Sequence, residues 1–254
     1  MAIGSNSANF ADMETRIKTT WLGQGGFLFE TSNLRLAVDP YLSEDCFDRS
    51  KNEGFKRLLP APMGVAELNP DYYCITHDHA DHYDAPTVFS AAHKFQSAKF
   101  IGAKSAREHY IKVGFNPFKF TGLSVGDRYE DGKVEIFAVP AKHSDPQSIG
   151  FVFSISGKNI YVSGDTLYYP ALTDEIVEIF PRKIDSMFIC INGKLGNMTW
   201  QEAVKTVSKL KPQKVFPMHY GLFHANTVDP NGFLEAVRKL GIECSEPSYK
   251  PFFI

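Results

Sequence analysis

Disulfide and thiolate chemistry are the first things this sequence excludes. Its four cysteines (Cys46, Cys74, Cys190, Cys244) are scattered and no two form a CxxC pair, so neither a disulfide framework nor a thiolate zinc site is indicated. Cys74 and Cys190 stand in apolar runs and read as small buried residues. No apolar run is long enough to span a bilayer, and no membrane partner is expected. Net charge is −2, without the basic excess that recruits nucleic acid. Residues 1–14 are small and polar and lack the basic-then-apolar order of a secretion signal. The expectation is a cytoplasmic protein with a flexible tail over 1–16 and one domain over 17–254.

What is present is an alternation of short strands and helices. Ile17–Leu22, Phe27–Thr31 and Leu34–Val38 read as strands joined by turn chemistry, Gly23-Gln24-Gly25-Gly26 and then Ser32-Asn33. Residues 43–68 read as a long functional loop. Strands are expected at 72–76, 99–101, 134–139, 149–155, 160–163, 184–191 and 214–217. Helices are expected at 86–95, with Asp84 as cap, and at 103–113, 171–180, after the capping box Thr199…Glu202, and after Asp229-Pro230. Hairpin-linked early strands argue against a purely parallel sheet. Two mixed β-sheets packed together with helices outside fit better.

The densest chemistry is His77-Asp78-His79-Ala80-Asp81-His82, directly after the apolar strand 72–76. Three imidazoles and two carboxylates in one loop call for a divalent cation. His143, Asp165, Asn192 and His219 each follow another strand, where rigid scaffolds present reactive groups. In an extended turn His77 and His79 point the same way, while Asp81 and His82 reach elsewhere. The spacing therefore places His77, His79 and His143 around one ion and Asp81, His82 and His219 around a second, with Asp165 between. Two ions about 3.5–4 Å apart share a hydroxide nucleophile.

These motifs resemble the metallo-β-lactamase superfamily: five separated elements occur in its order. Thr76–Asp84, Phe100–Lys104, Val125-Gly126-Asp127, Ser163-Gly164-Asp165 and His219 followed by Asp229-Pro230 are similar to its L-ascorbate-6-phosphate lactonase branch. The resemblance implies an α+β fold, an αββα sandwich, with two divalent ions (zinc or manganese, with iron also accepted). It implies hydrolysis of an ester, lactone or phosphodiester. Metal-bound water with a pKa near about 7 would be the nucleophile, and Asp81, His82 and Asp165 the catalytic residues. Asp78 and Asp39 are expected to fix ligand histidines by hydrogen bonding.

Substrate contacts are expected from Asn192 and Lys194, from Arg57 in a locally basic loop with Arg49, Lys51 and Lys56, and from His224. The partner is then a small anionic molecule, a phosphorylated sugar lactone being the first guess, and a homo-oligomer is compatible with the chain. A phosphodiesterase or nuclease of the same fold is the alternative, and a di-iron redox variant a third. His93 and His109, in predicted helices without acidic partners at metal spacing, read as surface or interhelix residues. The 23–26 glycines lack the lysine and following helix of a nucleotide loop.

Overall fold

The computed structural model describes residues 16–254; the first fifteen residues of the expected tail lie outside them. Two seven-stranded sheets share one plan. The first contains β1 (Lys18–Gly23), β2 (Gly26–Glu30), β3 (Arg35–Val38), β4 (Tyr72–Ile75), β5 (Lys99–Ala103), β6 (Phe120–Leu123) and the C-terminal β14 (Phe252–Phe253). Its order is β14-β1-β2-β3-β4-β5-β6. The second contains β7 (Arg128–Glu130), β8 (Glu135–Pro140), β9 (Ile149–Ile155), β10 (Lys158–Val162), β11 (Ser186–Cys190), β12 (Lys214–Met218) and β13 (Glu243–Cys244). Its order is β13-β12-β11-β10-β9-β8-β7. In each, an antiparallel meander (β1–β3, β7–β10) continues into parallel strands (β3–β6, β10–β13).

Parallel neighbours require long crossovers, and this explains the segment 43–68. It is the crossover from β3 to β4. It also carries structure that the sequence reading missed: α1 (Asp45–Ser50), a 3-10 turn at Glu53–Phe55, and α2 (Val65–Leu68). It is pinned to the 219–225 loop by an Arg57–Phe223 bridge and by Ala225 N donating to Gly54 O at 2.9 Å. The remaining helices flank the sheets: α3 (Ala85–Lys94), α4 (Lys104–Lys112), α5 (Leu172–Ile179), α6 (Trp200–Leu210) and α7 (Asn231–Lys239). The predicted capping box is formed at α6. Asp84 occupies the N-cap position of α3, as expected, but its carboxylate takes no helix N–H; it accepts instead from Leu42 N, Ser43 N, Ser43 Oγ and Thr87 Oγ1. No described helix is long and apolar enough to cross a membrane.

The core fills the space between the sheets. Phe27 and Phe29 of β2 meet Phe188 of β11 with ring centroids 4.4 and 5.3 Å apart. Each such buried ring stabilises by about 1.5–3 kcal/mol. Backbone bonds join the halves at one edge, among them Ile149 N donating to Thr76 O (3.1 Å) and His219 N donating to Gln24 O (3.0 Å). Strand direction does the rest. β3 and β4 are parallel, so Asp39 and Thr76 emerge together; β8, β10 and β12 run the same way, so His143, Asp165 and His219 emerge at the edge where the sheets are joined.

Candidate metal centre

The seven predicted residues converge. His77 Nε2 lies 3.0 Å and His143 Nε2 lies 3.1 Å from His79 Nδ1. On the other side His82 Nε2 lies 3.4 Å from His219 Nε2, and His219 Nε2 lies 3.4 Å from Asp81 Oδ2. Asp165 stands between the halves: its Oδ2 is 3.1 Å from His219 Nε2 and 3.8 Å from His143 Nε2, and its Oδ1 is 3.2 Å from His82 Nε2. The side-chain ligand atoms of His77, His79 and His143 fall within 4.8 Å of one another, as do those of Asp81, His82 and His219 and those of His77, His82 and Asp165.

Outer partners set the tautomers. Thr76 Oγ1 donates to Asp39 Oδ2 (2.6 Å), so toward His77 Nδ1 (3.0 Å) it accepts. His143 Nδ1 donates to Gly196 O at 3.0 Å, and His82 Nδ1 to Asp39 Oδ2 at 2.7 Å. Each ring, when neutral, therefore turns an Nε2 lone pair inward. His79 Nε2 faces Ser144 Oγ at 3.4 Å; with that hydroxyl accepting, the Nδ1 lone pair of His79 points inward as well. Lone pairs about 3 Å apart repel unless a proton or a cation sits among them, so the donor set fits a metal. With His82 neutral, the buried Asp165 Oδ1 has no hydrogen-bond donor among the described residues, which fits the same reading. Among the described residues His219 is the one clustered imidazole without an outer partner: its Nδ1 is buried and unbonded.

The electrostatics divide the imidazoles. Burial, reinforced by His82, holds His77 and His79 below the ordinary histidine range. Burial also opposes charge on His82 and His219, but Asp165 and its fellow carboxylates reverse it. His82 is raised well above the usual value and His219 is pushed up to about 9. Burial would raise Asp81 and Asp165, yet the His82 and His219 imidazoles outweigh it and hold both below the carboxylate range.

Two features escaped the sequence reading. Gln24 is fully buried, and its Nε2 donates to Asp81 Oδ2 at 3.0 Å. It sits at φ 48, and Asp39 and His219 are also in the left-handed region at φ 43 and 66. Three strained non-glycine residues in one site mark a functional constraint. The second feature corrects an expectation. Asp78 does not fix a ligand histidine; its Oδ1 meets His109 Nδ1 at 2.6 Å. Asp39 does hold a clustered histidine, as expected.

The expected substrate contacts are placed less closely. Asn192 is buried at the end of β11, between the strands that carry Asp165 and His219, and its Nδ2 donates to Asn226 Oδ1 (2.7 Å). Lys194 Nζ reaches Ala225 O at 3.5 Å. Arg57 donates to Tyr41 O and Leu59 O. His224 is exposed. Among the described residues no hydrogen bond or ion pair joins these four to the cluster.

The comparisons with known proteins agree with this geometry. A family model described as the beta-lactamase superfamily domain matches residues 35–220. A UPF0173 metal-dependent hydrolase of Pyrobaculum neutrophilum is 28% identical over 234 residues, covering 89% of this chain and 96% of its own length. Another, from Pyrococcus furiosus, is 30% identical over 233 residues, with 87% and 92% covered. The structure of Igni18, a metallo hydrolase from Ignicoccus hospitalis, shares the fold: TM-score 0.71 at 24% identity, covering 94% of this chain and 99% of that one. With the family model spanning most of the chain, and the Pyrococcus furiosus relative nearly all of it, the chain belongs to the beta-lactamase superfamily and, within it, to the UPF0173 metal-dependent hydrolase family.

Proposed function

We propose that this metal-dependent hydrolase holds two divalent ions, zinc or manganese with iron also accepted, and cleaves a small anionic ester or lactone. One observation carries the reading. Asp165 stands between a His77/His79/His143 group and an Asp81/His82/His219 group, within 3.8 Å of a histidine of each. Bound ions would supply a hydroxide nucleophile at neutral pH and polarise the scissile carbonyl.

The chain's own residues set the geometry. Asp81 orients the attacking water, because Gln24 fixes its Oδ2 while Oδ1 makes no hydrogen bond among the described residues. His82, held by Asp39, keeps its Nε2 on the side of Asp165. For the anionic end of the substrate, the 43–68 crossover offers Arg57. Its neighbours Arg49 and Lys51 are paired with Asp45 and Asp48, whereas Arg57 forms no ion pair among the described residues. Asn192, Lys194 and His224 stand on the facing loops. The phosphorylated sugar lactone rests on the motif resemblance.

The test is to strip the protein with EDTA and reload it with zinc, manganese or iron. Metal content is measured, and lactones, esters and phosphodiesters are assayed, phosphorylated sugar lactones among them. Turnover of a lactone or ester at two ions per chain is expected. Turnover of phosphodiesters alone would transfer the site to the phosphodiesterase reading, and no turnover by any loaded form would end the hydrolase reading of this cluster.

A further inference from the structure

Behind the metal loop, one imidazole touches both of its ends. His109, on α4, stands with Nδ1 2.6 Å from Asp78 Oδ1, between His77 and His79. Its ring lies flat on Tyr83, at the far end of the loop, with centroids 4.1 Å apart and an interplanar angle of 13°. Tyr83 N in turn donates to His79 O at 2.6 Å. One turn earlier on α4, Ser105 Oγ donates to Asp145 Oδ2 (2.6 Å), the same oxygen that accepts from Asp78 N (3.0 Å). The helix is thus latched to Asp78 through both its backbone and its side chain. A cavity of about 460 Å³, lined by Asp78, Ser105, His109 and Lys112 among others, opens on this face.

The other half of the site is held from elsewhere. Gln24 grips Asp81, and its carbonyl fixes the backbone of His219. We propose that His109, acting through Asp78, is the positioning residue of the metal loop. It governs the ion held by His77, His79 and His143 and leaves the ion held by Asp81, His82 and His219 largely unaffected. The inference rests on the two-ion reading above. Groups that orient metal ligands from outside typically change metal affinity 10–100-fold.

The test is cobalt(II) titration of EDTA-treated full-length protein, followed by visible absorption and calorimetry, with melting temperature as a folding control. His109→Phe keeps the stack on Tyr83 and removes the hydrogen bond; Asp78→Asn keeps the shape of the loop. Each is expected to weaken one cobalt step about tenfold and to leave the other within about twofold. The double variant is expected to be no weaker than His109→Phe alone, since that change already removes the bond whose acceptor Asp78→Asn strips of its charge. Gln24→Leu is expected to move the opposite step. Isotherms of both variants that coincide with wild type would overturn the proposal. So would a parallel weakening of both steps, the mark of a merely structural role. If His109→Phe fails to fold, the near-isosteric Asp78→Asn decides alone. If wild type takes only one cobalt, the two-ion reading falls by itself. The latch then stands only if Asp78→Asn weakens that ion, and falls if it does not.

Discussion

Asp39 and His82 are fully buried and joined, with Oδ2 and Nδ1 2.7 Å apart. The same carboxylate takes Thr76 N (2.8 Å) and Thr76 Oγ1 (2.6 Å), and Thr76 Oγ1 meets His77. One aspartate therefore orients a histidine in each half of the site. Asp39→Asn is expected to lower zinc affinity and turnover about 10–100-fold. The chain should still fold, because asparagine tolerates the left-handed backbone that Asp39 adopts (φ 43). Calorimetry of zinc binding to stripped protein, beside circular dichroism, checks both halves of the statement. Unchanged affinity would remove Asp39 from the site.

Gln24 yields a sharper contrast. Its Nε2 is the donor to Asp81 Oδ2, and its side chain is fully buried. Gln24→Leu is expected to reduce turnover about tenfold, as an orienting donor is lost. Gln24→Glu is expected to be worse, since it places a second carboxylate where Asp81 is already ionised. Steady-state rates on the best substrate from the panel provide the comparison. A glutamate variant as active as wild type would show that Asp81 needs no donor.

The residues of the metal cluster were legible in the sequence because each follows a recognisable apolar strand and because histidine and aspartate cluster there without a structural reason. Their supports were not. Gln24 lies 57 positions from Asp81 and His109 lies 31 from Asp78; only the closing of the sheets brings them together. The turn 23–26 shows its hairpin in its glycines but gives no sign that Gln24 points inward. Short edge strands such as Arg128–Glu130 carry no apolar alternation and were missed for that reason. The crossover 43–68 reads as a loop because its helices last only six and four residues, too short to show a period.

Two glycines test the packing against the cluster. A Cβ at Gly25 would lie 2.8 Å from His82 Cε1, and one at Gly196 would lie 3.0 Å from His143 Nδ1. Gly196 also stands at φ +90, where a side chain is strained. Gly25→Ala and Gly196→Ala are each expected to displace a ring and cut turnover at least about tenfold, since small misplacements of reacting groups carry large rate penalties. The two should differ in which half fails: Gly25→Ala at the His82 side, Gly196→Ala at the His143 side. Metal content per chain separates them, and two full sites in both variants would contradict the packing argument.

The opposed histidine shifts make the stability of the stripped protein depend on pH in both directions. His82 and His219 have folded values above the unfolded one of about 6.5, His219 at about 9. The native chain therefore holds protons that the unfolded chain has lost, and this stabilisation, complete below about pH 6.5, fades as pH climbs through 9. His77 and His79 lie below the unfolded value. Their contribution is present above about pH 6.5 and is lost as pH falls below it. Asp81 and Asp165, held below the carboxylate range, add a further loss only under more acid conditions, below their unfolded value of 3.8. The melting temperature of EDTA-treated protein is thus expected to peak near about pH 6.5 and to decline toward both pH 5 and pH 9. Zinc should abolish the alkaline decline, since it takes the place of the protons on His82 and His219 and binds more tightly as they leave. Calorimetric melting from pH 5 to 9, with and without zinc, measures this. An alkaline decline that persists at saturating zinc would mean that those two imidazoles are not ligands.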